Sequence, residues 1–170
     1  MQRGLLALSL GFALTPMSAL AETTKAFQVS ADIVQGCIVA TNSNGQWGSI
    51  DLGTVSGVAR GTVTADLLSG GVAGIQIDCT PNMSATISAD NGVRGVAGVR
   101  ALGLNGSSVS TIPYQLFADG SATPWTTQSI ALVFGSGATR RVLPIRGVAT
   151  LSGAMAAGAY SDTVRITLSW

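Results

Sequence analysis

The stretch GAYSDTVRITLSW, residues 158–170, decides the fold. From Val164 onward it alternates, with Val164, Ile166, Leu168 and Trp170 on one side and Arg165, Thr167 and Ser169 on the other. A period of two marks a half-buried β-strand, because successive Cβ atoms point to opposite faces. No turn signal and no further strand follow Trp170. The apolar face of this strand is therefore expected to need a neighbour from elsewhere.

Working back from that strand, the same grammar recurs. Short apolar-alternating runs cover Phe27–Ile33, Trp47–Leu52, Arg60–Leu68, Val72–Cys79, Ala85–Ala89, Val99–Leu104, Ile112–Phe117, Ile130–Phe134, Arg141–Leu151 and Thr163–Trp170. Turn residues punctuate them: Ser69-Gly70-Gly71, Asp90-Asn91-Gly92, Asn105-Gly106, Asp119-Gly120 and Gly135-Ser136-Gly137. Many short strands, regular turns and no helical period predict an all-β sandwich. GAMAAG (153–158) is the one stretch able to form a helical turn, and its flanking glycines favour a loop.

The first residues read as an export signal. Arg3 gives a positive start, Leu5–Leu14 an apolar run, Pro16 a break, and Ala19-Leu20-Ala21 a small-residue cleavage site before Glu22. The apolar run has ten residues, well short of the ~20 of a spanning helix. Residues 1–21 are expected to be removed, leaving 149 of the 170 as one domain.

Charge is sparse and balanced. Lys and Arg number nine against eight Asp and Glu, only 10% of residues are charged, and 46% are hydrophobic. Such a balance gives no electrostatic reason to expect nucleic acid as a partner. So little surface charge barely opposes self-association and suits an assembly. Cys37 and Cys79 are the only cysteines. In an oxidising compartment a lone pair is expected to bridge. A 42-residue separation gives about 4 kcal/mol in the chain-entropy model. A metal or redox site is the competing reading, and neither a CxxC nor any histidine supports it.

The absence of histidine removes Ser-His-Asp and Cys-His nucleophiles and the usual zinc hydrolases. A glycosidase needs only two carboxylates, but Asp51, Asp78, Asp90 and Asp119 sit beside glycine, asparagine or strand ends, where aspartate serves turns. GVRGVAG (92–98) and GSGATR (135–140) resemble phosphate loops in spacing, yet lack the Lys-Ser/Thr ending. Asn82-Met83-Ser84 and Asn105-Gly106-Ser107 fit a glycosylation sequon, a triplet that arises often by chance. The aromatics Trp47, Tyr114, Phe117, Trp125, Phe134, Tyr160 and Trp170 have the chemistry to line a sugar site, and their strand positions read more simply as core. No catalytic residue, metal or cofactor is expected.

Six stretches carry a resemblance: FQVSADIVQGCIV (27–39), WGSIDLGTVSG (47–57), IQIDCTPNMSATISADNG (75–92), IPYQLFADGSATPW (112–125), VLPIRGVATL (142–151) and GAYSDTVRITLSW (158–170). In their order and cysteine placement they resemble the spore coat U family, which includes Csu-type subunits of archaic chaperone–usher pili. The resemblance implies an immunoglobulin-like β-sandwich lacking its last strand. It implies that a periplasmic chaperone first fills the gap, and later the N-terminal segment of the next subunit, at an outer-membrane usher. Under that resemblance residues 22–34 are a donor segment, with Phe27, Val29, Ala31 and Ile33 inward, and residues 35–170 are the pilin domain. Val164, Ile166, Leu168 and Trp170 would border the acceptor groove. The function implied is a structural shaft or adaptor subunit serving attachment and biofilm at the cell surface. A spore- or envelope-coat protein is the alternative within the family, and a secreted glycan-binding module the one outside it. Residues 27–33 also allow a plainer reading, as the first strand of their own domain.

Overall fold

The structure, a computed structural model, describes residues 24–95, 97–107 and 109–170. The chain divides between Ile33 and Val34 into two units. In the first, residues 24–33 form no strand and are exposed throughout, with Phe27 at 87%, Val29 at 83% and Ile33 at 91%. The run expected to be a strand thus has no ladder partner among the described residues. The cleavage signal expected over residues 1–21 lies outside the described residues.

The second unit is all β, with thirteen strands among the described residues. They are β1 (Cys37–Val39), β2 (Ser49–Ile50), β3 (Arg60–Ser69), β4 (Val72–Ala73), β5 (Ile75–Cys79), β6 (Ser84–Ala89) and β7 (Ala101–Leu104). β8 (Thr111–Ala118), β9 (Ile130–Val133), β10 (Arg140–Leu143), β11 (Ile145–Ser152), β12 (Tyr160–Ser161) and β13 (Ile166–Ser169) follow. All pair antiparallel, in three sheets ordered β1-β5-β10, β12-β7-β8-β11-β3-β2 with β4 also on β3, and β13-β6-β9.

One core joins the three sheets. Alternate residues of β5 (Ile75, Ile77), β6 (Ala85, Ile87, Ala89), β8 (Ile112, Tyr114, Leu116) and β11 (Ile145, Ala149, Leu151) point into it. Each large apolar side chain buried there contributes about 1.5–3 kcal/mol. The outward positions of the central strands are polar, as in Thr62, Thr64 and Asp66 of β3 and Arg146 and Thr150 of β11.

Two predicted strands are broken where the chain changes sheet. The run Val72–Cys79 splits at Gly74, whose φ of 99° suits glycine. Arg141–Leu151 splits at Pro144, which has no N–H for a ladder. The two breaks share one corner: a Cβ on Gly74 would lie 2.5 Å from the Leu143 carbonyl oxygen. A sheet corner needs such bends, and unbroken apolar alternation hides them. The Ser69-Gly70-Gly71-Val72 hairpin has φ of 56° and 86° at its two glycines, the twist a two-residue hairpin requires. GAMAAG is a loop, tied to the facing loop by the Met155 N–H donating to the Gly57 carbonyl at 3.0 Å.

Cys37 and Cys79 face each other as the first register pair of β1 and β5 and are bonded. The bridge closes the chain between residues 37 and 79, which carries β2, β3 and β4, onto a central core strand.

Candidate functional site

The last change of sheet among the described strands builds the site. β12 pairs with β7 in the large sheet, while β13, four residues later, pairs with β6 in another. Between them residues 162–165 belong to neither ladder. β12 and β13 are each the last strand of their sheets, and β2 is the last strand at the opposite end of the large one. The open space between these ends is a groove. Its first rim runs from Tyr160 through Asp162 and Val164 to Ile166, its second from Gln46 to Val55, including β2.

The groove comprises two cavities of about 420 and 670 Å³ that share Ile50, Leu52, Leu102 and Asp162. The floor of the first is Ile75, Leu116 and Ile145, and that of the second is Ile112, Ala149 and Leu151. These are core residues, so the hydrophobic core opens directly into the groove. Along its sides Trp47, Ile50, Leu52, Leu67, Leu102, Val164 and Ile166 are only half-buried. Gly147 of β11 belongs to the floor because it lacks a side chain: a Cβ there would meet the Ile50 methyls at 3.1 and 3.4 Å.

The predicted tail positions divide. Val164, Ile166 and Leu168 pack half-buried against the core, and Val164 and Ile166 line the groove. Trp170 does not face the core as expected. The ladder to β6 ends at Ser169↔Thr86, one residue short of Trp170, which is 61% exposed. Phe27, Val29, Ala31 and Ile33 are exposed in their own segment.

Polar groups concentrate at the ladder-free part of the rim. Tyr114 donates its hydroxyl to Asp162 Oδ2 at 2.7 Å, and the Arg94 N–H donates to Asp162 Oδ1 at 2.9 Å. Burial, followed by that bond to Asp162, pushes the Tyr114 phenol far above its ordinary range. Asp90 Oδ1 accepts the N–H groups of Arg165 and Gly92, each at 2.9 Å. Behind it Arg100, 4% exposed, donates to the carbonyls of Asp90, Trp125 and Thr126. Burial lowers the Arg100 pKa, opposed by the negative charge of its surroundings.

The remaining candidates for chemistry are spread out. Asp78 pairs with Arg140, and Asp119 with Arg141, at the surface. The Arg140 hydrogen bond holds the Asp78 carboxyl below its usual range. Asp51 closes a turn through the Gly53 N–H. Among the described residues no three acids or cysteines gather as a metal shell. Trp125, Tyr114 and Phe134 are core, and Phe117 stacks under Arg146 at 5.4 Å. Missed from sequence were the second rim, Gly147 and the long-range partners of Asp90 and Asp162. Only the Trp47–Leu52 alternation offered a signal for any of them.

The sequence matches the family described as Spore Coat Protein U domain over residues 23–167. No curated protein matches it. A chain from the crystal structure of the CsuC–CsuE chaperone–tip adhesion subunit pre-assembly complex of archaic chaperone-usher Csu pili of Acinetobacter baumannii superposes with a TM-score of 0.55 at 16% identity. That alignment covers 81% of this chain and 40% of the other, and it shows the fold, an immunoglobulin-like sandwich. A chain of a chaperone–tip adhesin complex of CFA/I fimbriae biogenesis gives a TM-score of 0.46 at 15% identity, over 78% of this chain and 41% of its own. This chain thus spans about two fifths of the structural relatives it matches.

Proposed function

The chain belongs to the Spore Coat Protein U domain family, and from that premise we propose that it is a structural subunit of a chaperone–usher pilus, joined head to tail by donor-strand exchange. The observation that carries this is the groove, a strand-shaped gap that opens the core between two sheet ends. Its occupant in the filament is the 22–34 segment of a second copy or of a sister subunit. An extended donor from Phe27 to Ile33 spans about 20 Å at ~3.3 Å per residue step. The donor supplies an alternating apolar face whose large side chains are exposed.

Energetics favour filling the gap. An open core and two unfinished sheet ends invite aggregation. Phe27, Val29 and Ile33, all now in water, each gain about 1.5–3 kcal/mol on burial, and each new backbone hydrogen bond about 0.5–1.5 kcal/mol net. Pairing along a strand with alternate side chains in pockets is β-augmentation. The contact is heterologous and does not close, so it grows a filament. Before assembly a periplasmic chaperone occupies the same groove, and an outer-membrane usher exchanges it for the next donor. The role is shaft or adaptor, non-enzymatic, exported through the 1–21 signal and serving surface attachment and biofilm. The family's description motivates a coat protein as the second reading; electron microscopy of assembled material separates thin filaments from a continuous layer.

The test compares three proteins by size exclusion. The mature chain alone aggregates or polymerises unless a chaperone is present. Deletion of residues 22–34 leaves the groove open, so this variant caps growth rather than extending it. Appending AFQVSADI after Trp170, through a turn of about four to six residues, yields a soluble monomer much harder to unfold. A deletion variant as hard to unfold as the extended protein sinks the proposal, because its sandwich would then be complete without a donor.

A further inference from the structure

Residues 162–165 form the middle of one groove rim and lie outside both ladders. A free backbone there would have to be ordered when a strand docks, and ordering at the moment of binding weakens and slows it. These residues are instead held from one side by the loop that follows β6. The Asp90 N–H donates to the Arg165 carbonyl at 3.0 Å and the Val93 N–H to the Thr163 carbonyl at 3.1 Å. Two carboxylates supply the rest, Asp90 to the Arg165 N–H and Asp162 to the Arg94 N–H and the Tyr114 hydroxyl. Gly92 is required at the junction: its φ is 78°, and a Cβ would fall on the Asp162 carboxylate. The buried Arg100 guanidinium ties the Asp90 carbonyl to the loop at Trp125–Thr126. Asp162 lines both cavities and Tyr114 the first, so this scaffold reaches the groove itself.

We propose that Asp162 and Asp90, held by Tyr114, Arg94 and Arg100, are positioning residues that keep the ladder-free rim in strand-accepting shape before any donor arrives. This rests on the donor-strand reading above. A rim so held loses its entropy on folding, and the incoming strand meets a finished edge. The loop after β6 braces the rim from one side, while Asp162 and Tyr114 carry the brace into the groove wall.

The test uses the full mature chain carrying Phe27→Asp, which keeps its groove but makes a poor donor, and a fluorescent peptide of residues 24–34. Tyr114→Phe, which keeps the ring, slows peptide capture about tenfold, the size of one charge-assisted hydrogen bond. Asp162→Ala slows it further, and Asp162→Asn, which can still bond both partners, recovers most of the rate. Hydrogen exchange at Arg94 and Arg165 in the peptide-free protein rises about tenfold in Tyr114→Phe and Asp162→Ala, while β8 and β11 stay unchanged. Variants that unfold at lower temperature yet capture peptide at the parent rate overturn the proposal, as does unchanged exchange at those two amides. A parent that captures no peptide while the variants still show raised exchange refutes the donor-strand reading instead, leaving the brace as a property of the rim.

Discussion

Gly147 offers a way to close the acceptor without touching the donor. It lies on the groove floor in β11, where a Cβ would meet the Ile50 methyls at 3.1 and 3.4 Å. Alanine fits if the flexible Ile50 side chain moves by a few tenths of an ångström. Valine adds two further methyls, which must displace Ile50 or enter the cavity. In the empty protein the cavity takes them up and the strand backbone accepts a β-branched residue. In the complex they compete with the donor side chain. Overpacking costs about 1–3 kcal/mol, and losing one apolar donor contact about 1.5–3 kcal/mol. A net penalty of about 3 kcal/mol weakens donor capture roughly a hundredfold. The full-length Gly147→Val protein therefore donates but does not accept, while the 22–34 deletion accepts but does not donate. Sedimentation velocity of the refolded proteins should show each alone as monomer and the mixture as a one-to-one dimer that grows no further. Gly147→Ala should polymerise like the parent. Polymerisation of Gly147→Val at the parental rate, with its disulfide and circular dichroism intact, refutes the groove as acceptor. So does a mixture that yields no dimer.

Mass spectrometry of the exported protein without reduction should show one linked Cys37–Cys79 peptide pair and no free thiol. Reduction should destabilise the self-completed monomer by about 4 kcal/mol in denaturant titration, the chain-entropy value for a loop of 42 residues. Because the folded Tyr114 pKa lies above its ordinary 10.0, its contribution is fully present below that pH and is lost as pH rises toward the folded value. Stability should thus fall by about 1.4 kcal/mol per pH unit beyond roughly pH 10, more steeply than in Tyr114→Phe. Trp125 is 3% exposed and donates its indole N–H to the Gln128 carbonyl at 2.8 Å, so Trp125→Ala should cost about 3–5 kcal/mol as a core truncation. The folded chain should bind no glycan on an array, and saturable binding would favour the sugar-binding reading.

Most strands were legible because a half-buried strand writes its burial into every second residue, and β3, β5, β6, β8 and β13 follow that rule. What the pattern does not encode is which sheet a strand joins. Gly74 and Pro144 are visible as letters, yet the alternation runs straight across both, and only the shared corner shows a change of layer. Of Trp47–Leu52 only Ser49–Ile50 pairs, since the segment is a rim lying along the open groove. Asp90 was read as a turn acid, and it does bond the Gly92 N–H. Its second bond, to Arg165, spans 75 residues of sequence, a distance no local pattern carries. Trp170 extended the period by one residue beyond the end of the ladder.

The same two-residue period thus appears twice with different fates. In 164–168 the apolar face meets the core, because Ile166 and Leu168 are in register with Ala89 and Ile87 of β6. In 27–33 the face is equally apolar and stays in water. Periodicity states which side of a strand wants burial, and it is silent on which chain supplies the cover. The groove makes the complementary statement, since Ile75, Leu116, Ile145, Ile112 and Leu151 of the core form its floor. The proposed donor-strand exchange would meet both requirements at once, the exposed apolar face of one copy covering the open floor of the next. On the proposed donor-strand reading, stability belongs chiefly to the joined pair, and it should rise with protomer concentration in a denaturant titration.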